Sequence, residues 1–169
     1  MEFNVSQLLQ EPIGSTREHK FDTSADFAGD GNTYKVRGEC RLLRTGRGVL
    51  VKCSIDSEVE LTCGRCLTQF RYPVKIEFEE EFLPTLDINT GTPLPQPEDA
   101  GAFTIDERHI LDLFEPARQY ALMGIPIKPL CKESCAGLCQ KCGKNLNRGK
   151  CDCPTTEIDP RWSELTKLL

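Results

Sequence analysis

The sequence predicts an α+β chain. An antiparallel β meander or partly open barrel fills the N-terminal half, followed by a Pro/Gly-rich loop, a helical segment and a C-terminal cysteine-rich zinc-binding module. Three observations predict this. Apolar residues recur with period two from Val49 to Cys63 and again from Tyr72 to Phe78, the mark of strands with one buried face. Prolines and glycines crowd between Pro84 and Ala102 with almost no apolar periodicity. Six of the ten cysteines fall between Cys131 and Cys153.

In chain order, Phe3–Leu9 is apolar enough to lie against a sheet, as a strand or a short helix. Tyr34–Arg44 reads as a strand, and Thr45-Gly46-Arg47-Gly48 as a turn whose two glycines are free to take positive φ. Val49, Val51, Cys53 and Ile55 then share one face, Val59, Leu61 and Cys63 continue it, and Tyr72, Val74, Ile76 and Phe78 form the next strand. Cys40 and Cys53 read as small core residues within strands. Glu79-Glu80-Glu81 reads as an acidic face that keeps an edge strand soluble or meets a basic partner. Asp106 offers an N-cap, with Ile110, Phe114, Ala117 and Ala121 following at helical spacing; Pro116 should kink or divide that helix, and Gly124 and Pro126 should stop it. Asp159-Pro160-Arg161-Trp162 leads into a short amphipathic tail, Ser163–Leu169. The expected boundaries are a β-rich domain at 1–83, a linker or loop at 84–102, a helical segment at 103–126 and a zinc-knuckle module with its tail at 127–169.

The chemistry sits in the run Cys131-x3-Cys135-x3-Cys139-x2-Cys142-x8-Cys151-x-Cys153. Cys139 and Cys142 are three positions apart with Gly143 behind them, the spacing of a metal knuckle. Cys151 and Cys153 leave the same face of an extended segment, and Asn147-Arg148-Gly149-Lys150 suits a hairpin back to the knuckle. Four soft sulfur ligands favour tetrahedral zinc, although an iron–sulfur cluster also uses four thiolates. Cys131 and Cys135 are alternates: they replace part of the quartet, bind a second ion or pack as reduced thiols. The start Met1-Glu2-Phe3-Asn4 has neither the basic start nor the apolar core of a secretory signal, so a disulfide scaffold is disfavoured.

No apolar run reaches the roughly 18 residues needed to span a bilayer, and the net charge of −5 gives no global attraction for nucleic acid or anionic lipid. The charge is segregated, however. From Ile76 to Glu115 eleven acids face one base, whereas from Ile127 to Cys153 six bases (Lys128, Lys132, Lys141, Lys144, Arg148 and Lys150) face Glu133 and Asp152. Any single run of this kind reads first as a solvated face; a zinc knuckle studded with Lys and Arg also suits a phosphate-facing surface.

Cys63-Gly64-Arg65-Cys66 is a second C-x-x-C. The leading reading is a tight β turn with packed thiols. A zinc half-site completed by two distant cysteines and a redox pair are the alternatives, and the β pattern on both sides lacks the helix N-terminus a redox pair needs. His19, in a charged stretch, and His109, on the polar side of the expected helix start, read as surface residues. No GxSxG, Walker loop or HExxH occurs.

Cys135-Ala136-Gly137-Leu138-Cys139-Gln140-Lys141-Cys142-Gly143-Lys144-Asn145-Leu146-Asn147, then Cys151-x-Cys153 and Asp159-Pro160-Arg161-Trp162, resembles the C-terminal signature of the YceD-like family, the large ribosomal RNA subunit accumulation proteins of bacteria and plastids. Cys63-x-Arg65-Cys66-Leu67, Glu80-Glu81-Phe82 and Leu130-Cys131 fit the same pattern upstream. Gln140 stands where many members have proline, and Pro116 sits in a helix usually uninterrupted there. The resemblance implies a non-enzymatic factor for the processing or accumulation of large-subunit ribosomal RNA, in the bacterial cytoplasm or plastid stroma. Its expected partners are ribosomal RNA, a pre-ribosomal particle or a basic ribosomal protein. Two other classes stand beside it: a thiol redox or transferase enzyme using Cys63 and Cys66, and a zinc-stabilised adaptor that binds only protein.

Overall fold

The computed structural model describes residues 1–26, 31–95, 97 and 101–153. They group into two compact units, Met1–Leu61 with Phe70–Ile127, and Thr62–Gln69 with the segment from Lys128 onward. The Asp159–Trp162 motif and the Ser163–Leu169 tail lie outside the described residues.

The first unit is a single open sheet with two short helices. Its elements are β1 (Glu2–Asn4), α1 (Ser6–Gln10), β2 (Thr16–Ala25), β3 (Tyr34–Arg44), β4 (Val49–Thr62), β5 (Gln69–Pro84), β6 (Phe103–Ile105), β7 (Ile110–Asp112) and α2 (Phe114–Gly124). The sheet order is β1-β7-β6-β5-β4-β3-β2. The two edges approach each other: the ring of Phe3 on β1 lies 4.8 Å from that of His19 on β2. The sheet is therefore a curled, partly open barrel, and its inner face is the core.

The period-two reading places the core faces correctly. Val49, Val51, Cys53, Ile55 and Val59 of β4 are buried, as are Val74, Ile76 and Phe78 of β5 and Val36, Cys40 and Leu42 of β3. Leu8 and Leu9 of α1 and Ala117 and Ala121 of α2 join the same cluster. Phe3–Leu9 supplies both a strand and a helix. Cys40 and Cys53 are core residues, but they also face each other across β3 and β4 and are joined as a disulfide, with Cα atoms 4.2 Å apart.

Several local expectations are corrected. Neither Gly46 nor Gly48 has positive φ; Gly48 is required sterically, because a Cβ there would lie 2.0 Å from the Phe82 carbonyl oxygen. The acidic strand β5 is interior rather than an edge. Its glutamates have internal partners: Lys52 donates to Glu79, Tyr120 to Glu80 and Thr45 to Glu81. Pairing is not wholly antiparallel, since β6 returns parallel to β5 after the long 85–102 connection. Within that connection Asp87 accepts hydrogen bonds from the backbone of Asn89 and Thr90, and Leu86 bridges to Pro93.

The helical segment expected at 103–126 is helical only from Phe114; β6 and β7 precede it. Asp106 caps a turn instead of a helix, accepting from the backbone of Arg108 and Ile110. These donors, Ile110 first, hold its carboxyl below the usual carboxylate range. The turn places His109 at φ 61 and half-buries it, rather than leaving it on a helix surface. Pro116 falls in the first turn of α2, where its missing N–H has no intrahelical partner to lose, and so no kink is needed.

Candidate metal centres

The second unit gathers eight cysteines into two quartets. Cys139, Cys142, Cys151 and Cys153, the four singled out by spacing, have sulfur atoms within 4.8 Å of one another. The knuckle turns because Gly143 sits at φ 72 and donates its N–H to the Cys139 carbonyl at 2.9 Å, while the Cys139 N–H donates to Lys144 O at 2.9 Å. The hairpin beyond is fixed by the Leu138–Asn145 bridge and by Lys144 Nζ donating to Lys150 O at 2.7 Å.

The alternates Cys131 and Cys135 do not enter that quartet. They meet Cys63 and Cys66, with Cys63 Sγ 3.8 Å from Cys135 Sγ and Cys66 Sγ 3.6 Å from Cys131 Sγ. All four sulfurs again lie within 4.8 Å of one another. The turn expected inside the 1–83 domain thus groups with the C-terminal segment. Gly64 N–H donates to Pro129 O at 2.8 Å, Arg65 Nη1 to Cys135 O at 3.1 Å, and Asn145 Nδ2 to Thr68 Oγ1 at 3.2 Å. Either quartet can hold a metal ion. For zinc–sulfur bonds of about 2.3 Å, a tetrahedron has sulfur–sulfur edges of about 3.8 Å, close to the separations here.

Each cluster carries one strongly acidified thiol. Backbone amides of Cys142 and Lys141 lower Cys139 to about 6, and those of Cys131, Cys66 and Arg65 lower Cys63 to about 6. Hydrogen bonding with Thr68 lowers Cys66 as well. Burial and neighbouring sulfurs push Cys131 up to about 12; hydrogen bonding with Cys142, then burial, does the same to Cys153. A cluster that already holds a thiolate beside protonated partners is ready to exchange protons for a divalent cation.

Lys128, Lys132, Lys141, Lys144, Arg148 and Lys150 are all exposed and all belong to this unit. None forms an ion pair among the described residues. No helix among the described residues is long and apolar enough to cross a membrane. His19 is half-buried against Phe3 and lies on β2, away from both quartets in the chain.

A family model described as "Large ribosomal RNA subunit accumulation protein YceD" matches residues 51–169, a stretch that contains all eight of these cysteines. An uncharacterized protein of Mycobacterium tuberculosis is 29% identical over 131 residues, which cover 78% of this chain and 60% of that protein. One from Mycobacterium leprae is 28% identical over 133 residues, covering 78% of this chain and 58% of its own. The Arabidopsis thaliana protein named large ribosomal RNA subunit accumulation protein YCED homolog 1, chloroplastic, is 38% identical over 58 residues, 34% of this chain and 18% of its own. No solved structure matches.

Proposed function

The chain belongs to the YceD family of large ribosomal RNA subunit accumulation proteins, and on that premise we propose that it is a non-enzymatic ribosome biogenesis factor that binds ribosomal RNA through its cysteine-rich unit. The observation that supports this most is the co-location of six exposed bases with two thiolate quartets in one unit of an otherwise acidic chain. Zinc at Cys139, Cys142, Cys151 and Cys153 holds Lys141, Lys144, Arg148 and Lys150 at fixed spacing, so that phosphate contacts need no costly ordering of a flexible loop. The setting of this work is the bacterial cytoplasm, or the stroma for a plastid relative.

The thiol-enzyme reading draws on the lowered Cys63. That value recurs at Cys139, which lies in a metal knuckle; the Cys131 amide and then those of Cys66 and Arg65 lower Cys63, and the amides of Cys142 and Lys141 lower Cys139. Cys63 is 0% and Cys66 4% exposed, which leaves no access for a substrate disulfide.

Reversing Lys141, Lys144 and Arg148 to glutamate tests the reading. With about three phosphate contacts, affinity of the wild type for single-stranded ribosomal RNA falls roughly tenfold to twentyfold between 50 and 200 mM salt. The triple reversal removes that association and keeps the zinc. Unchanged particle association and salt dependence in the variant transfers the role to a protein-binding adaptor.

A further inference from the structure

We propose that Cys63, Cys66, Cys131 and Cys135 hold a second structural zinc ion, which joins the β4–β5 turn to the C-terminal segment as one folded unit. The inference is independent of RNA binding and goes beyond the zinc assigned to the hairpin.

The two C-x-x-C turns have the same backbone. In the hairpin knuckle the residue after the second cysteine has positive φ and donates to the carbonyl of the first, while the N–H of the first donates to the carbonyl five residues on. In the upstream turn Leu67 N–H donates to Cys63 O at 3.0 Å and Cys63 N–H to Thr68 O at 3.0 Å. Leu67 has φ 55 where Gly143 has 72. The amides two and three residues beyond the first cysteine also reach its sulfur in both turns, Arg65 and Cys66 in one and Lys141 and Cys142 in the other. A β turn that merely packs two thiols does not need a branched, 65% exposed leucine in the left-handed region. A turn that aims two thiolates and their amides at one ion does.

The remaining two ligands come from Cys131 and Cys135, and the surrounding polar groups complete the site. Asn147 Nδ2 donates to Cys135 Sγ at 3.3 Å, and Arg65 holds the Cys135 carbonyl. Such donors to sulfur are the usual outer support of a thiolate site. Without a metal this cluster would leave three buried thiols gathered with a fourth, their sulfurs within 4.8 Å of one another. Zinc is the ion that four thiolates in a tetrahedral set select.

The test is metal content of the purified, reduced, full-length chain by elemental analysis and native mass spectrometry. The expected result is two zinc ions per chain, one in Cys66→Ser, one in Cys142→Ser and none in the double variant. Cobalt titration of the wild type, which needs no variant to fold, should fill two tetrathiolate sites with twice the charge-transfer intensity of one. A single zinc that Cys66→Ser retains overturns the proposal. So does iron in place of zinc. All readouts use protein without RNA, so a failure here is separate from a failure of ribosomal RNA association.

Discussion

The side-chain amide of Asn147 donates to the sulfur of Cys135, 3.3 Å away, so a residue of the hairpin loop supports a cysteine of the other quartet. Its Oδ1 also accepts from the Ala136 N–H at 3.0 Å. One side chain therefore links the two candidate sites. Asn147→Ala should weaken metal retention at the Cys63 cluster by about tenfold, in line with the loss of an outer-shell donor, while the hairpin cluster keeps its metal. Stepwise release to a chelator, followed by cysteine alkylation mapping, checks which quartet empties first. Equal release from both, or from the hairpin alone, contradicts the link.

Leu67 holds a conformation that suits glycine. Leu67→Gly should keep both metals and bind the first at least as tightly, because relief of a strained backbone offsets the added freedom of the unfolded chain. Leu67→Val should cost about 1–2 kcal/mol, since a β-branched residue is least tolerated at positive φ. Zinc affinity by competition with a chromophoric chelator distinguishes the two. Equal affinity in all three proteins would show that the knuckle geometry is unimportant.

Metal affinity should depend on pH with a break near pH 6. Above it Cys63 and Cys139 are already thiolates, so neither gives up a proton on binding. Below it each must, and the slope of log affinity against pH steepens by one per cluster as affinity falls. Cys131 and Cys153, pushed up to about 12, release a proton throughout the neutral range. Affinity that does not fall as pH is lowered from 8 to 5 is incompatible with these assignments.

In the first unit, Gly48→Ala drives a methyl group into the Phe82 carbonyl and should destabilise the fold by about 1–3 kcal/mol, an overpacking cost. Gly46→Ala is the control, since its nearest neighbour would be Ile13 Cδ1 at 3.8 Å. Urea unfolding followed by Trp-independent circular dichroism compares them. Equal midpoints would mean that the turn adjusts freely.

What the sequence made legible was local. Alternation fixed which faces of β4 and β5 are buried, because a half-buried strand writes its environment every second residue. The gathering of the hairpin quartet was equally readable, since its four cysteines span only Cys139–Cys153. The Cys63 cluster was not, because its halves lie 65 positions apart from Cys66 to Cys131 and no spacing rule reports such a meeting. The knuckle signature was also masked there, with Leu67 in the place of the expected glycine. The strands before α2 were missed for a different reason. Asp106 followed by Ile110 satisfies a helix start and a tight strand-to-strand turn equally well, and only pairing with β1 and β5 decides between them.

The contrast between a local quartet and a discontinuous one also orders events in time. A ribosome adds roughly 5–20 residues per second, so the 69 positions from Cys66 to Cys135 take about 3–14 seconds to synthesise at that rate. Through that interval the upstream pair waits without its two downstream partners, whereas the hairpin quartet is whole within moments of its first cysteine. On the proposed second site, the nascent chain thus passes through an interval in which that site is half made, and it ends only when Cys131 and Cys135 arrive.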